Sequence, residues 1–296
     1  MKITDIKLRQ LTGVMDVDGQ WVEDRFVQPT DVYEEFRNQG RIGRSRQIDD
    51  KHLEISSTFL QIETDEGVSG ITGPLWPAVG YHVWLMKDLL IGQDPTATEY
   101  LWDVMHRSSA HGRQGAGMMA ISAVDNALWD LKGKALGTPV YQLIGGGNQK
   151  SMPGYASMLF YNATDMGLVR ERAQEMKAQG FTAQKWFFRH GPMSGYEGFK
   201  LNVDLVRTVR EAVGPDHDIM FDAWQSWDYN YAIKVCSQIE QYDVRWLEEV
   251  GMPDRIDTYR KVKESTIIPI SGVEHEYTRW GVQTLDGCGS GGHYSA

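Results

Sequence analysis

The sequence predicts an α+β domain followed by an incomplete α/β barrel of parallel strands. Two strand-like segments near the start precede a long helical stretch, which is the order typical of an α+β domain. After residue 150 a unit of short strand, turn and amphipathic helix repeats, as expected for parallel strands joined by crossover helices. Three acidic residues, Asp222, Glu248 and Glu274, lie 26 residues apart in this second part. That interval is about the length of one strand-helix unit.

The composition excludes several classes of protein. Hydrophobic residues make up 41% and aromatic residues 11% of the 296 positions, which is enough apolar material for a substantial core. Thirty basic against forty acidic residues give a net charge of -10, so the protein repels nucleic-acid phosphates and anionic lipid surfaces. We therefore expect neither a nucleic-acid partner nor a membrane partner.

The cysteines and the N-terminus favour a cytoplasmic protein. Cys236 and Cys288 lack the spacing of a disulfide framework or a metal site, which fits a reducing compartment. The first seven residues alternate polar and apolar side chains like a strand, and no apolar run of signal-peptide length follows them. We expect no secretion.

The first 75 residues predict strands. Residues 2–10 alternate in polarity, and residues 58–64 and 68–73 flank the turn Asp65-Glu66-Gly67, which indicates a hairpin. Residues 15–52 are polar and too long for a plain connection in a compact domain, so we interpret them as a functional or mobile loop. This loop carries three arginines, Arg41, Arg44 and Arg46.

Helices follow these strands and complete the first domain. From about residue 78 to residue 137 apolar residues such as Met118, Ile121 and Val124 recur every third or fourth position, and Gly137-Thr138-Pro139 is a stop signal. We expect an α+β domain over residues 1–137, a partial barrel carrying the metal site over residues 138–286, and an aberrant glycine-rich tail over residues 287–296.

The second domain predicts about five of the eight strands of a TIM-type barrel. A closed barrel takes about 250 residues, whereas residues 151–296 supply 146. The glycine-rich tail has no apolar run where a further strand is expected, so we expect a C-terminally truncated chain with open strand edges that favour association. The five predicted strands are residues 152–158, 183–188, 218–223, 244–249 and 267–272.

The three equally spaced acids predict a metal site. Asp222, Glu248 and Glu274 each end a predicted strand, and active sites of this architecture are built at those strand ends. Three converging anions repel one another unless a cation lies among them, and an all-oxygen set suits a hard ion such as Mg²⁺. The alternative is that each acid is a solvated residue or a helix cap.

Two more residues are candidates for the same site. Lys185 ends the second predicted strand, where a lysine near a bound metal has a lowered pKa or donates to an anionic substrate oxygen. Alternatively it is a surface lysine whose stem covers its aromatic neighbours. His275 follows Glu274 directly, so a contact with a ligand or with substrate is as consistent with its position as a catalytic role.

Several motifs resemble one known family. Residues 120–134, AISAVDNALWDLKGK, followed by GTPVY at 137–141 and LIGG at 143–146, are similar to the helix-to-barrel signature of the mandelate racemase and muconate-lactonising branch of the enolase superfamily. Residues 221–224, 246–249 and 270–275 resemble its three metal-ligand motifs. The resemblance implies that Asp222, Glu248 and Glu274 bind one Mg²⁺.

Within the family, the Glu274-His275 pair and the Asp-x-Trp form of the first motif resemble acid-sugar dehydratases of the L-rhamnonate dehydratase type. The resemblance implies a Mg²⁺-dependent lyase that removes the proton α to a carboxylate, passes through an enediolate and forms a 2-keto-3-deoxy sugar acid. It also implies that residues 1–137 are a capping domain and that the partner is a small acid sugar. Lys185 and His275 are the catalytic candidates. Substrate-binding candidates are Trp224, Arg41, Arg44 and Arg46.

Two departures from the family pattern keep alternatives open. Phe187 stands where racemases and muconate-lactonising enzymes carry a second lysine, so we expect Lys185 to act electrostatically. The family's His–Asp dyad has no matching motif in this chain. A racemase or epimerase, and a non-catalytic remnant that binds metal or sugar acid, are the alternatives to a dehydratase. We also expect a homo-oligomer.

Overall fold

The computed structural model describes residues 1–37, 45–147, 151–287 and 293–294, with side chains up to residue 284. The chain divides into two compact units. The first unit comprises residues 1–19 and 43–152, and the second comprises residues 20–42 and 153–296. The domain limits expected from the sequence stay predictions.

The first unit is built on an antiparallel sheet in which one long strand pairs with all the others. Strand β3 pairs with β1 along one edge, and with β2 and then β4 along the other. The expected hairpin is therefore present as β3 and β4. The strands are β1 (Ile3–Asp16), β2 (Ser45–Asp49), β3 (His52–Thr64) and β4 (Ser69–Leu75).

Part of the stretch expected to be a long polar loop is strand. Strand β1 continues to Asp16, and β2 lies within that stretch. Every residue of β2 is exposed, so no burial pattern selects apolar residues there and the alternation that marks a half-buried strand is missing.

Helices cover this sheet, as the apolar spacing predicts. The longest, α3, buries Ile121, Val124 and Leu128, and it ends at Gly137, whose φ of +61° is the left-handed conformation that glycine adopts without strain. The helices of the first unit are α1 (Pro77–Leu90), α2 (Thr98–Ser108), α3 (Gly115–Leu136) and α4 (Val140–Leu143).

The second unit contains a parallel sheet with the strand order β5-β6-β7-β8-β9-β10. Helices connect its first five strands, which confirms the strand-helix pattern. The elements are β5 (Ala156–Ser157), α5 (Met166–Ala178), β6 (Ala183–Phe187), α6 (Gly195–Val213), β7 (Asp218–Asp222), α7 (Tyr229–Ile239), β8 (Trp246–Glu248), α8 (Ile256–Glu264), β9 (Ile270–Gly272), α9 (Thr278–Gly287) and β10 (His293–Tyr294).

The tail differs from the expectation that it holds no strand. Strand β10, only two residues long, pairs in parallel with β9. Strand β10 adds a sixth strand to the sheet although the tail has no apolar run. A bridge of two residues needs only backbone hydrogen bonds and no alternation of polar and apolar side chains. Among the helices in the described ranges, none combines the length and the apolar character needed to cross a bilayer.

Alternation along the strands sorts the side chains of the barrel sheet onto two faces. Trp186, Phe221 and Leu247 belong to the buried core that the sheet shares with its helices. Their strand neighbours point to the opposite face, because successive side chains of a strand alternate. Asp222 is in register with Phe187 on β6 and with Glu248 on β8, so these three share that opposite face.

Helix α3 lies so close to strand β4 that there is no room for a side chain at Gly70. A Cβ atom added at Gly70 would lie 1.9 Å from the Ala127 carbonyl oxygen of α3 and 2.8 Å from the Leu131 Cβ. We expect Gly70→Ala to lower the free energy of unfolding by about 1–3 kcal/mol, as overpacking does. Gly13→Ala on β1 is the control, since a Cβ there has open space. Equal urea midpoints for the two variants would contradict this packing.

The acid Asp125 on α3 provides a pH test. Burial and then the charge of Glu99 raise the pKa of Asp125 from 3.8 to about 6. An acid with a raised pKa in the folded state loses stability as the pH rises through that range. We expect Asp125→Asn to stabilise the protein by about 1–2 kcal/mol at pH 8 and by nothing near pH 4. Asp88→Asn, at an exposed position of α1, is the control and should leave the free energy of unfolding unchanged at both pH values. An effect of Asp125→Asn that does not depend on pH would refute the raised pKa of Asp125.

Candidate active site

The carboxyl ends of β6, β7 and β8 bring one lysine and two acids together. The Nζ atom of Lys185 donates to Asp222 Oδ2 at 3.1 Å and to Glu248 Oε1 at 2.6 Å. Lys185 is 6% exposed, and each acid is 1% exposed. The expected proximity of these three residues is therefore observed, and the alternatives of a surface lysine and of solvated acids are wrong for them.

Both carboxylates are held by a second donor. The backbone N–H of Trp224 donates to Asp222 Oδ1 at 2.8 Å, and the indole Nε1 of Trp246 donates to Glu248 Oε2 at 2.9 Å. Each of the four carboxylate oxygens thus accepts one hydrogen bond and keeps a further lone pair. This arrangement fixes both side chains while leaving them able to bind a cation.

The charges in this group do not balance. Burial lowers the pKa of Lys185, but the charges of Asp222 and Glu248 outweigh it and raise that pKa above its usual range. Burial and the neighbouring Glu248 raise the pKa of Asp222, and Lys185 only partly opposes them. One lysine thus contacts two buried acids, and the raised pKa of Asp222 shows that this lysine does not fully offset the repulsion between them.

The third predicted ligand lies apart from this group. Glu274 follows β9 and its side chain is 41% exposed. Among the described residues, Glu249, Glu274 and His275 form the one group of three or more His, Cys, Asp or Glu side chains whose ligand atoms all lie within 4.8 Å of one another. Burial and then Glu249 raise the pKa of Glu274, with smaller contributions from Glu248 and Lys185. Glu274 is thus an electrostatic neighbour of the lysine group without a hydrogen bond to it.

Glu249 and Gln225 were not among the residues that the sequence analysis selected. Glu249 is 1% exposed, and its Oε1 accepts from Nδ1 of His275 at 2.9 Å. Its Oε2 accepts from Nε2 of Gln225 at 3.2 Å. That hydrogen bond to Glu249 raises the pKa of His275, against the effect of burial. The doubled acid at 248–249 was the available signal, but the alternation expected along a strand would place the second acid on the other face.

An aromatic cluster lies beside Lys185. Its Nζ is 5.1 Å from the centre of the Phe187 ring, and that ring is 5.4 Å from the ring of Phe26. Phe26 also meets the ring of Trp224 edge-on at 5.0 Å. Trp224, a predicted substrate contact, therefore lies in this cluster. Phe26 lies in the stretch that we interpreted as a long polar loop, so the sequence analysis did not select it.

The arginines expected to contact substrate are Arg41, Arg44 and Arg46. Arg46 is exposed on β2 in the first unit and binds Glu54 at 3.2 Å. Arg41 and Arg44 lie outside the described residues. The substrate-binding role of all three arginines stays a prediction.

The donor set fits a hard divalent cation. Asp222 and Glu248 offer only oxygen ligands, and their charge exceeds that of the one lysine beside them. The Oγ atom of Ser271, in register with Glu248, is buried with no hydrogen-bond partner among the described residues, so the same face has further polar capacity. Together with the Lys185 ammonium, an ion of charge +2 would balance the three carboxylates of Asp222, Glu248 and Glu274.

Two family models and a known relative match this chain. Residues 53–145 match the mandelate racemase / muconate lactonizing enzyme N-terminal domain, and residues 168–289 match the enolase C-terminal domain-like family. L-rhamnonate dehydratase of Saccharopolyspora erythraea is 32% identical over 297 residues, which cover 96% of this chain and 71% of that protein.

Solved structures of related enzymes share the fold. Rhamnonate dehydratase from Gibberella zeae complexed with Mg has a TM-score of 0.77 and 30% identity, over 96% of this chain and 68% of that one. The 3,6-anhydro-D-galactonate cycloisomerase from Zobellia galactanivorans has a TM-score of 0.75 and 27% identity, over 98% and 70%. From both domain matches and the 32% identical dehydratase, this chain belongs to the mandelate racemase and muconate lactonizing branch of the enolase superfamily.

Proposed function

We propose that this protein is a Mg²⁺-dependent dehydratase of acid sugars. It removes the proton α to the substrate carboxylate and releases the β-hydroxyl as water, and the resulting enol becomes a 2-keto-3-deoxy sugar acid. The observation that carries the proposal is the buried group of Lys185, Asp222 and Glu248 at three neighbouring strand ends. The similarity of the whole chain to rhamnonate dehydratases supports dehydration as the reaction.

Asp222, Glu248 and Glu274 are the residues that would hold Mg²⁺. When bound, the cation supplies positive charge that stabilises the second negative charge formed as the α-proton leaves. The Lys185 ammonium, which contacts both Asp222 and Glu248, would attract and orient the substrate carboxylate. His275 contacts Glu249 through its Nδ1, and its Nε2 lies 3.0 Å from the Gln225 amide nitrogen, so it would orient substrate or a metal ligand from this fixed position.

The aromatic cluster favours dehydration over racemisation. Racemisation needs a proton-transferring group on each face of the α-carbon, and Phe187 occupies the position of the lysine that would serve one face. The Phe187 ring is buried and packs against Phe26. That side of the group is therefore apolar and offers no proton-transferring side chain. Dehydration does not require one there, because it needs a base on one face only and an acid for the leaving hydroxyl.

The first test is metal binding. Because a ligand that binds only the folded state stabilises it by RT ln(1 + [L]/Kd), Mg²⁺ at 100 times its Kd should add about 2.7 kcal/mol. We expect millimolar Mg²⁺ to raise the Tm of the wild type and of the control Glu240→Gln, and to leave Glu248→Gln unchanged. Glu240 accepts a hydrogen bond from Thr266 and is not part of the lysine group. No shift in the wild type would mean that the site does not exist.

The second test is the reaction itself. Six-carbon and deoxy sugar acids incubated with the protein and Mg²⁺ in D₂O should give 2-keto-3-deoxy products, trapped as semicarbazones and absent without Mg²⁺. A racemase would instead place deuterium at the α-carbon of inverted substrate and form no semicarbazone. A non-catalytic protein would return every sugar acid unchanged while still showing the Mg²⁺-dependent rise in Tm. Either result would refute the dehydratase proposal.

A further inference from the structure

Side chains just beyond the candidate ligands join three strand ends. Gln225 follows Asp222 by three residues, Glu249 follows Glu248 directly, and His275 follows the third acid directly. Glu249 accepts from both other members, at 3.2 Å from Gln225 Nε2 and 2.9 Å from His275 Nδ1. The amide nitrogen of Gln225 also lies 2.7 Å from Nδ1 and 3.0 Å from Nε2 of His275. One buried carboxylate therefore links the ends of β7, β8 and β9.

Backbone hydrogen bonds reinforce the same link. The N–H of Gln225 donates to the carbonyl of Glu249 at 2.7 Å, and the N–H of Glu249 donates to the carbonyl of Ser271 at 3.0 Å. Glu249 is 1% exposed, and a buried carboxylate is stable only with partners that satisfy it. Gln225 and His275 are those partners.

The backbone at these strand ends is held in an unusual conformation. Trp224, Gln225, Glu249 and Val273 have positive φ values of +39°, +64°, +48° and +85°. Non-glycine residues in this conformation are strained and persist only where the surrounding structure holds them in place. The change of direction at Glu249 turns its side chain toward Gln225 and His275, and Val273 directly precedes Glu274.

We propose that Glu249 is a positioning residue for the metal ligands. By holding Gln225 and His275 it fixes the ends of β7 and β9 relative to β8, so that Glu274 is presented to the cation that Asp222 and Glu248 bind. This inference rests on the proposed Mg²⁺ site. It assigns to Glu249 no contact with the metal or with substrate.

Manganese binding tests the proposal without relying on turnover. The probe is Mn²⁺, with the free ion measured by EPR, on the purified full chain. Because loss of a residue that orients a ligand commonly weakens metal affinity 10- to 100-fold, we expect that loss for Glu249→Ala and for His275→Ala. The double variant should bind within about threefold of the weaker single one, since both changes break the same link.

Two further variants separate positioning from general destabilisation. In Glu249→Gln the new amide oxygen can accept from His275, and the new amide nitrogen can donate to Gln225 once the Gln225 amide flips. This variant should therefore bind Mn²⁺ within about fivefold of the wild-type affinity. Glu240→Gln should bind as the wild type does. Bound Mn²⁺ should show no ¹⁴N coupling in its pulsed EPR spectrum, because His275 is not a ligand.

Three outcomes overturn the inference. Unchanged Mn²⁺ affinity in Glu249→Ala, with a lower Tm, would make the residue purely structural. Loss of binding in Glu249→Gln as complete as in Glu248→Gln, or a ¹⁴N coupling, would make Glu249 and His275 direct ligands. A wild type that binds no Mn²⁺ would refute the proposed function together with the inference, whereas the first two results leave the proposed function standing.

Discussion

The active-site end of the second unit depends on one lysine held between two buried acids. Removing a charge from water costs several kcal/mol, and only close opposite charges and hydrogen bonds repay that cost. Lys185 supplies the charge, while Trp224 and Trp246 supply the remaining donors to Asp222 and Glu248. The parallel register that puts these two acids opposite each other is therefore a requirement of the site as well as a feature of the fold.

An incomplete balance of charge is useful at this position. A fully neutralised group would have no affinity for a further cation, and an unpaired group would destabilise the fold. One lysine against two carboxylates, with Glu274 as a third acid nearby, lies between these extremes. The protein thus keeps a folded site whose residual negative charge a divalent cation can balance.

The sequence predicted the elements that bury apolar residues and missed those that do not. Helix α3 and strands β6 and β7 follow their apolar spacing, but β2 is exposed throughout and β10 is a two-residue bridge. The equal spacing of the acids predicted the Asp222–Glu248 pair because register follows from the repeat. The sequence pattern could not predict the role of Glu249, because the direction of its side chain depends on a positive φ that reverses the alternation of the strand.

The same limit applies to Phe26, whose importance depends on where residues 20–37 lie. This segment comes from the N-terminal part of the sequence but belongs to the second unit, where Phe26 packs against Phe187 and Trp224. Aromatic rings on one side of Lys185 exclude water and lower the local dielectric, which strengthens the attraction between the ammonium group and any carboxylate that it meets. One side of the Lys185 group therefore carries the charged side chains, and the other side carries aromatic rings that keep water away from them. This asymmetry suits a reaction that develops charge on one face of its substrate.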